Sequence, residues 1–263
     1  MEIKSIYSWS PSSSISKRSN SPLLPQSLRG LIVGKSSSGK TTVLLNLLLQ
    51  PNWLDFNHLY VFGLSLHQTE YQLLRKGFNS GLSKEQISNL FSNQSVLQNK
   101  QVSPITVLDE YSGPCNGTIK AEFYDDCSKI PDPSELNVDE NNLIIFDDCI
   151  LQKQNKAEAY YTRGRHNNCD TLYISQNYFM LPRRTVRENA NFILLFKQDI
   201  KNVNCIYGDH CSYDMTLEEF HSFCKTVWES DTYNFVTLDL TSTKCNGKYR
   251  KNLDDFYIPL GYK

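Results

Sequence analysis

LRGLIVGKSSSGKTTVLLNLLL, residues 28–49, decides the fold. It opens on a short apolar run at 28–33, too short for a helix and stopped by glycine, which reads as a buried strand. It closes on a leucine-rich segment, 40–49, which reads as a helix ending near Pro51. Between them Gly34 and Gly39-Lys40-Thr41 complete the Walker A pattern, GxxxxGK followed by Ser or Thr. In a strand–loop–helix unit of this kind the backbone N–H groups of Gly34, Lys35, Ser36, Ser37, Ser38, Gly39, Lys40, Thr41 and Thr42 cradle a polyphosphate. Lys40 neutralises its β and γ oxygens, and the Thr41 hydroxyl ligates Mg²⁺. A plain Gly-Ser turn with a solvated lysine would need neither flank.

Outward from this unit, strands and helices alternate. A strand is predicted at 59–62, halted by Gly63. The stretch 64–142 is irregular and insertion-rich. Within it, Ser83 and Gln86 form a capping-box pattern for a helix at 84–91, and PITVL at 104–108 reads as a strand. The segments GPCNGT and PDPSELNVDENN read as loops from their turn residues. LIIF at 143–146 is a buried strand running into Asp147 and Asp148, followed by a helical composition at 153–163. A short apolar strand at 171–174 ends in Ser175-Gln176, Pro182 suits the first turn of a helix through Glu188, and FILLF at 192–196 is a further core strand. Thr216 and Glu219 make a second capping box, followed by Phe220, Phe223, Cys224 and Val227 at helical spacing, and 233–240 reads as a last strand. The order predicts an α/β fold: a P-loop NTPase with a RecA/ASCE-like, mostly parallel central sheet and helices on both faces. The core spans 28–240, with a basic tail at 241–263 packed on or extending from it.

A bound Mg²⁺–nucleotide needs an acid near the metal, and Asp147, at the end of a strand, fits that need as a Walker B residue. Asp148 stands where hydrolysing ATPases often place a glutamate to orient the attacking water, or it caps the next helix. Gln176 ends the following strand, beside Asp148 in a parallel sheet, where an amide holds the lytic water or senses the γ-phosphate. Arg163 and Arg165 precede that strand and Arg183, Arg184 and Arg187 follow it. Arginines of this kind stabilise transition-state charge from a neighbouring subunit, grip DNA phosphates, or form a solvated face.

The net charge of −1 gives no argument from overall basicity to a nucleic-acid partner, so any polyanion is met by a local patch. Residues 1–27 hold a Ser/Pro-rich stretch that buries too little apolar surface to offset its ordering entropy, and read as a flexible arm. No stretch reaches a membrane span and the start lacks the apolar core of a signal peptide, so no membrane partner and no secretion are expected. Eight cysteines without a CxxC pair read as reduced thiols. Cys205, His210, Cys211, His221 and Cys224 hold enough donors for zinc, at spacings of no compact zinc ribbon or finger.

Taken in order, these motifs resemble the genome-packaging ATPases of large DNA viruses, virophages and Polinton-type elements, the poxvirus-like branch of the FtsK/HerA superfamily. The resemblance rests on GKSSSGKTT, on LIIFDDC, and above all on TRGRHNNCDTLYISQNYFMLPRRTVRENANFILLFK at 162–197. It spans about residues 28–240, loosely over 64–142. It implies an ATP-driven, Mg²⁺-dependent motor, a homo-oligomeric ring that threads double-stranded DNA into a capsid and meets capsid or portal proteins there. The setting it implies is a viral assembly site, in the virion or the host cytoplasm or nucleus. It also implies catalytic roles for Lys40, Asp148 and Gln176, and an arginine finger at Arg165, then Arg163, then Arg187. The aspartate in the second acidic position departs from the common glutamate. Two alternatives stay open on the sequence: a small-molecule or nucleotide kinase, and an ATP-binding capsid-associated scaffold without significant turnover.

Overall fold

The apolar run forms strand β1 (Arg29–Val33) and the leucine segment forms helix α1 (Lys40–Leu49), in a computed structural model that describes residues 18–92, 108 and 115–259. The strand expected at 104–108 lies outside the described residues except for Leu108. Among the described residues β1 is one of nine strands in a single sheet, with β2 (His58–Gly63), β3 (Lys120–Tyr124), β4 (Asn142–Asp147) and β5 (Cys169–Ser175). The others are β6 (Phe192–Leu195), β7 (Val236–Asp239), β8 (Tyr249–Lys251) and β9 (Asp255–Tyr257). Their order is β3-β2-β4-β5-β1-β6-β7-β8-β9. Every pairing from β3 to β6 is parallel, and those beyond β6 are antiparallel. The C-terminal ends of six strands therefore open on one edge, where α/β sheets bind their ligands. β5 lies between β1 and β4, with Val33 opposite Ser175 and Asp147 opposite Ile174.

Each central strand buries side chains on both faces, which is why the sequence shows continuous apolar runs there rather than alternation. Leu31, Val33, Ile144, Phe146 and Tyr173 face helices α4 (Asn155–Arg163), α5 (Ile200–His210) and α6 (Leu217–Ser230). Ile32, Val61, Ile145 and Ile174 face α1, α2 (Thr69–Asn79) and α3 (Lys84–Ser92). Both predicted capping patterns start helices. Ser83 Oγ accepts from Gln86 N at 3.2 Å while Gln86 Oε1 accepts from Ser83 N at 2.8 Å, and Thr216 Oγ1 accepts from Glu219 N at 3.2 Å.

The structure corrects two expectations, the arm over 1–27 and the helix from Pro182, and it packs the tail on the core and adds elements that the sequence does not predict. The arm read over 1–27 is packed against the sheet from residue 18 onward. Arg18 is buried and pairs with Asp170 at the start of β5, and it donates to Asn142 O at 3.0 Å and Asn168 O at 2.6 Å. Asn20 and the Leu28 amide also donate to Asp170, both at 2.8 Å. Composition misses this because one anchored arginine outweighs the polar residues around it. The basic tail adds β8 and β9 to the sheet, and Arg250 is buried, donating to Asp239 at 2.6 Å and to Leu23 O at 2.6 Å. The helix expected from Pro182 to Glu188 is a single π-turn, Arg183–Arg187. Finally, α2, α5 and β3 were not predicted. α5 carries Gly208 and two asparagines, Asn202 and Asn204, poor helix formers that tertiary packing overrides, and β3 is a half-exposed edge strand with no apolar run. Among the described residues no helix is long and apolar enough to cross a membrane.

Candidate nucleotide site

The loop after β1 is shaped by two glycines. Gly39 sits at φ 99°, a left-handed conformation that L side chains rarely adopt, and it turns the chain into α1. At Gly34 a Cβ would stand 2.4 Å from Ser38 Oγ and 2.7 Å from Phe196 Cβ, so only glycine fits beside β6. Lys40 Nζ donates to the Gly34 and Lys35 carbonyls, each at 2.7 Å, which holds the ammonium at the mouth of the loop with a third N–H to spare. Burial pulls the Lys40 pKa down, and Asp148 and Asp147 oppose that pull. Ser38 Oγ is buried without a hydrogen-bond partner. Such an orphaned hydroxyl in a loop of amide donors suits a polyoxyanion, so the residues present fit a nucleotide phosphate chain.

Asp147 ends β4 and is partly buried. Its Oδ2 accepts from the Tyr71 hydroxyl of α2 at 2.6 Å. Burial pushes its carboxyl up, with Asp148 adding to the rise and Tyr71 and Lys40 working against it. A divalent cation would relieve this: carboxylate and hydroxyl oxygens are hard donors, and Asp147 and Thr41 are the two the sequence assigns to Mg²⁺. Asp148 is exposed and takes φ 47°, while its amide still bonds to Ile174 O at 3.0 Å as an extension of the β4–β5 ladder. Gln176 Nε2 donates to Asp148 Oδ2 at 2.5 Å. The adjacency predicted for these two residues is present. Beneath them, the Cys149 thiol donates to the Tyr173 hydroxyl at 3.3 Å, which donates to Gln154 Oε1 at 3.0 Å. Gln154 Nε2 ties back to Cys149 O at 2.8 Å, so the turn carrying both acids has a fixed floor.

The arginines stand elsewhere. Arg163 and Arg165 lie before the start of β5, at the sheet edge opposite the phosphate loop of the same chain. Arg163 is exposed and pairs with Asp132 at 3.1 Å. Arg165 is exposed beside His166, and its charge is felt by Arg29 at the first position of β1. Arg187 is buried; its guanidinium lies over the Tyr178 ring at 5.1 Å and contacts Cys205 and Asp209, which leaves it unfit to reach another subunit. Arg183, exposed, pairs with Glu188 at 3.5 Å.

The Cys/His group does not converge. Cys211 and Cys224 are buried thiols, and burial pushes Cys211 up to about 12. His210 is engaged with Tyr178 and His221 with Asn204. Among the described residues no three His, Cys, Asp or Glu side chains are grouped to hold a metal.

Two site residues escape sequence reasoning. Tyr71 reaches Asp147 from an unpredicted helix, and Tyr233, expected inside a strand, instead precedes β7 and lines a cleft of about 450 Å³ with loop residues 37–43. Neither belongs to a local motif, because both are placed by tertiary contact alone.

No family model matches the sequence, and no curated protein matches it. Among solved structures, the chain is similar to the genome packaging NTPase B204 from Sulfolobus turreted icosahedral virus 2 in complex with AMPPCP, at 13% identity and a TM-score of 0.49, over 87% of this chain and 98% of that one. It is similar to B204, the DNA-packaging ATPase from Sulfolobus turreted icosahedral virus, at 13% identity and a TM-score of 0.44, over 87% and 97%. It is also similar to VirB4 of Thermoanaerobacter pseudethanolicus, at 11% identity and a TM-score of 0.41, over 81% and 87%.

Proposed function

We propose that the chain is an ATP-hydrolysing motor of the poxvirus-like genome-packaging branch of the FtsK/HerA superfamily, which works as a homo-oligomeric ring and drives double-stranded DNA into a capsid at a viral assembly site. The observation that carries the hydrolytic part is the Gln176–Asp148 hydrogen bond beside the phosphate loop, between the ends of neighbouring strands. A kinase passes its phosphoryl group to an acceptor and has no need of a paired acid and amide to hold water. The DNA and capsid part is supported by the 162–197 block.

In this reading the loop amides and Lys40 bind the triphosphate, and Mg²⁺ bound by Thr41 and Asp147 would neutralise charge on its oxygens. Asp148 takes the proton of the attacking water, and Gln176 orients that water. Arg165, remote from its own loop, acts on the nucleotide of a neighbouring subunit, where a guanidinium stabilises charge on the transferred phosphoryl group.

Displacement of a third strand from double-stranded DNA tests the motor. The full-length protein is expected to strip the strand with ATP and Mg²⁺, and not when Lys40→Ala or Asp148→Asn is substituted. Hydrolysis by the wild-type protein without any displacement would sink the translocation part.

A further inference from the structure

We infer that Tyr233 is the surface on which the base of the bound nucleotide stacks, clamped in place by Asn252 of the β8–β9 turn; this rests on reading residues 34–42 as a nucleotide site. The cleft beside the loop has one wall made of residues 37–43, and Tyr233, about two hundred residues downstream, supplies the other side chain lining it. Tyr233 is 64% exposed. Its Cδ1 lies 3.4 Å from the point where a Cβ on Gly39 would project, and Phe196 Cε1 lies 3.5 Å from the same point. Phe196 packs in turn against Phe235, with centroids 5.0 Å apart and the rings tilted by 44°, so aromatic side chains line the chain beneath the loop up to Tyr233.

An exposed ring on a loose turn would mean little, but this turn is held. Asn234 Nδ2 donates to Ser230 Oγ at 2.7 Å, and Asn252 Nδ2 donates to Asn234 Oδ1 at 2.9 Å. Asn252 also closes a pair with Phe235, accepting from its amide at 3.2 Å and donating its own amide to the Phe235 carbonyl at 2.8 Å. Asn252 itself sits at φ 53°. The C-terminal strands therefore fix the turn on which Tyr233 stands. A solvent-facing aromatic ring on a held turn next to a polyphosphate cradle suits a ligand that joins a flat ring system to a phosphate chain. Stacking tolerates any base because every base has a π-face, so the site takes nucleoside triphosphates and does not separate ATP from GTP.

Calorimetric binding of ATP, GTP and inorganic tripolyphosphate to the full-length protein tests this. Tyr233→Ala is expected to weaken ATP and GTP on the order of tenfold while leaving tripolyphosphate unchanged. Tyr233→Phe should bind as wild type. Asn252→Gly, which keeps the backbone conformation and removes the clamp, should fall between them. The inference is overturned if Tyr233→Ala binds ATP normally while Lys40→Ala does not, or if Tyr233→Ala weakens tripolyphosphate as much as ATP. A wild-type protein that binds neither ATP nor tripolyphosphate would overturn the nucleotide-site reading as well.

Discussion

Aspartate reaches the φ of 47° found at residue 148 more readily than glutamate, because its short carboxylate hydrogen-bonds locally. This gives a conformational reason for aspartate in the second acidic position. Asp148→Asn keeps that backbone and removes the base; nucleotide binding should persist while the hydrolysis rate falls at least about a hundredfold in a phosphate-release assay. Tyr71 belongs to the same scale. Its buried hydroxyl holds Asp147, and groups that orient a metal ligand are typically worth about 10- to 100-fold in metal affinity or activity. Tyr71→Phe should therefore raise the Mg²⁺ concentration for half-maximal ATPase activity by about tenfold, read from Mg²⁺ titrations at fixed ATP. That Lys40, Asp147 and Asp148 stand near one another was legible because residue type and spacing along the chain set them at the C-terminal ends of β1 and β4. Tyr71 and Tyr233 were not, since their roles come from which helix or turn folds against the loop.

Elements with a continuous apolar run, β1, β4, β5 and β6, were legible because burial on both faces keeps the middle of each strand apolar and leaves polar residues only towards its ends. Elements stabilised by a few specific contacts were not, and residues 18–27 are the clearest case. Arg18→Ala would leave Asp170 buried without its cation, and urea unfolding should show a loss of about 3 kcal/mol, the lower end for breaking a buried pair because Asn20 and Leu28 still donate. The end of α5 supplies a pH test. Burial pulls His210 down to about 4 from an ordinary 6.5, with Lys248 and Arg187 helping and Asp209 opposing. Below pH 6.5 the unfolded chain takes up a proton that the folded chain refuses, so this stabilisation is complete above 6.5 and is lost as pH falls towards 4, by on the order of 3 kcal/mol. Asp170, pushed up to about 6 by burial, acts in the opposite direction between pH 4 and 6. The histidine's share is thus the difference between unfolding curves of wild type and His210→Gln, which should widen in the wild type's favour as pH rises through that range.

On the scale of the whole molecule, the sheet places the phosphate loop on one edge and Arg165 on the other, so the finger proposed at Arg165 is one that acts on another chain's nucleotide. A mixture of Arg165→Ala with Lys40→Ala, each inactive alone, should recover part of the wild-type ATPase activity, because Lys40→Ala subunits still offer Arg165 to intact loops. The size of the proposed ring and the residues proposed to meet DNA are illegible in one chain for a physical reason: they would be properties of an assembled interface. What ties ATP to DNA is most directly read from the steady-state ATPase rate of the purified protein with and without linear double-stranded DNA. The account predicts a rate raised severalfold by DNA and absent in Lys40→Ala; hydrolysis at the same rate with and without DNA would contradict it.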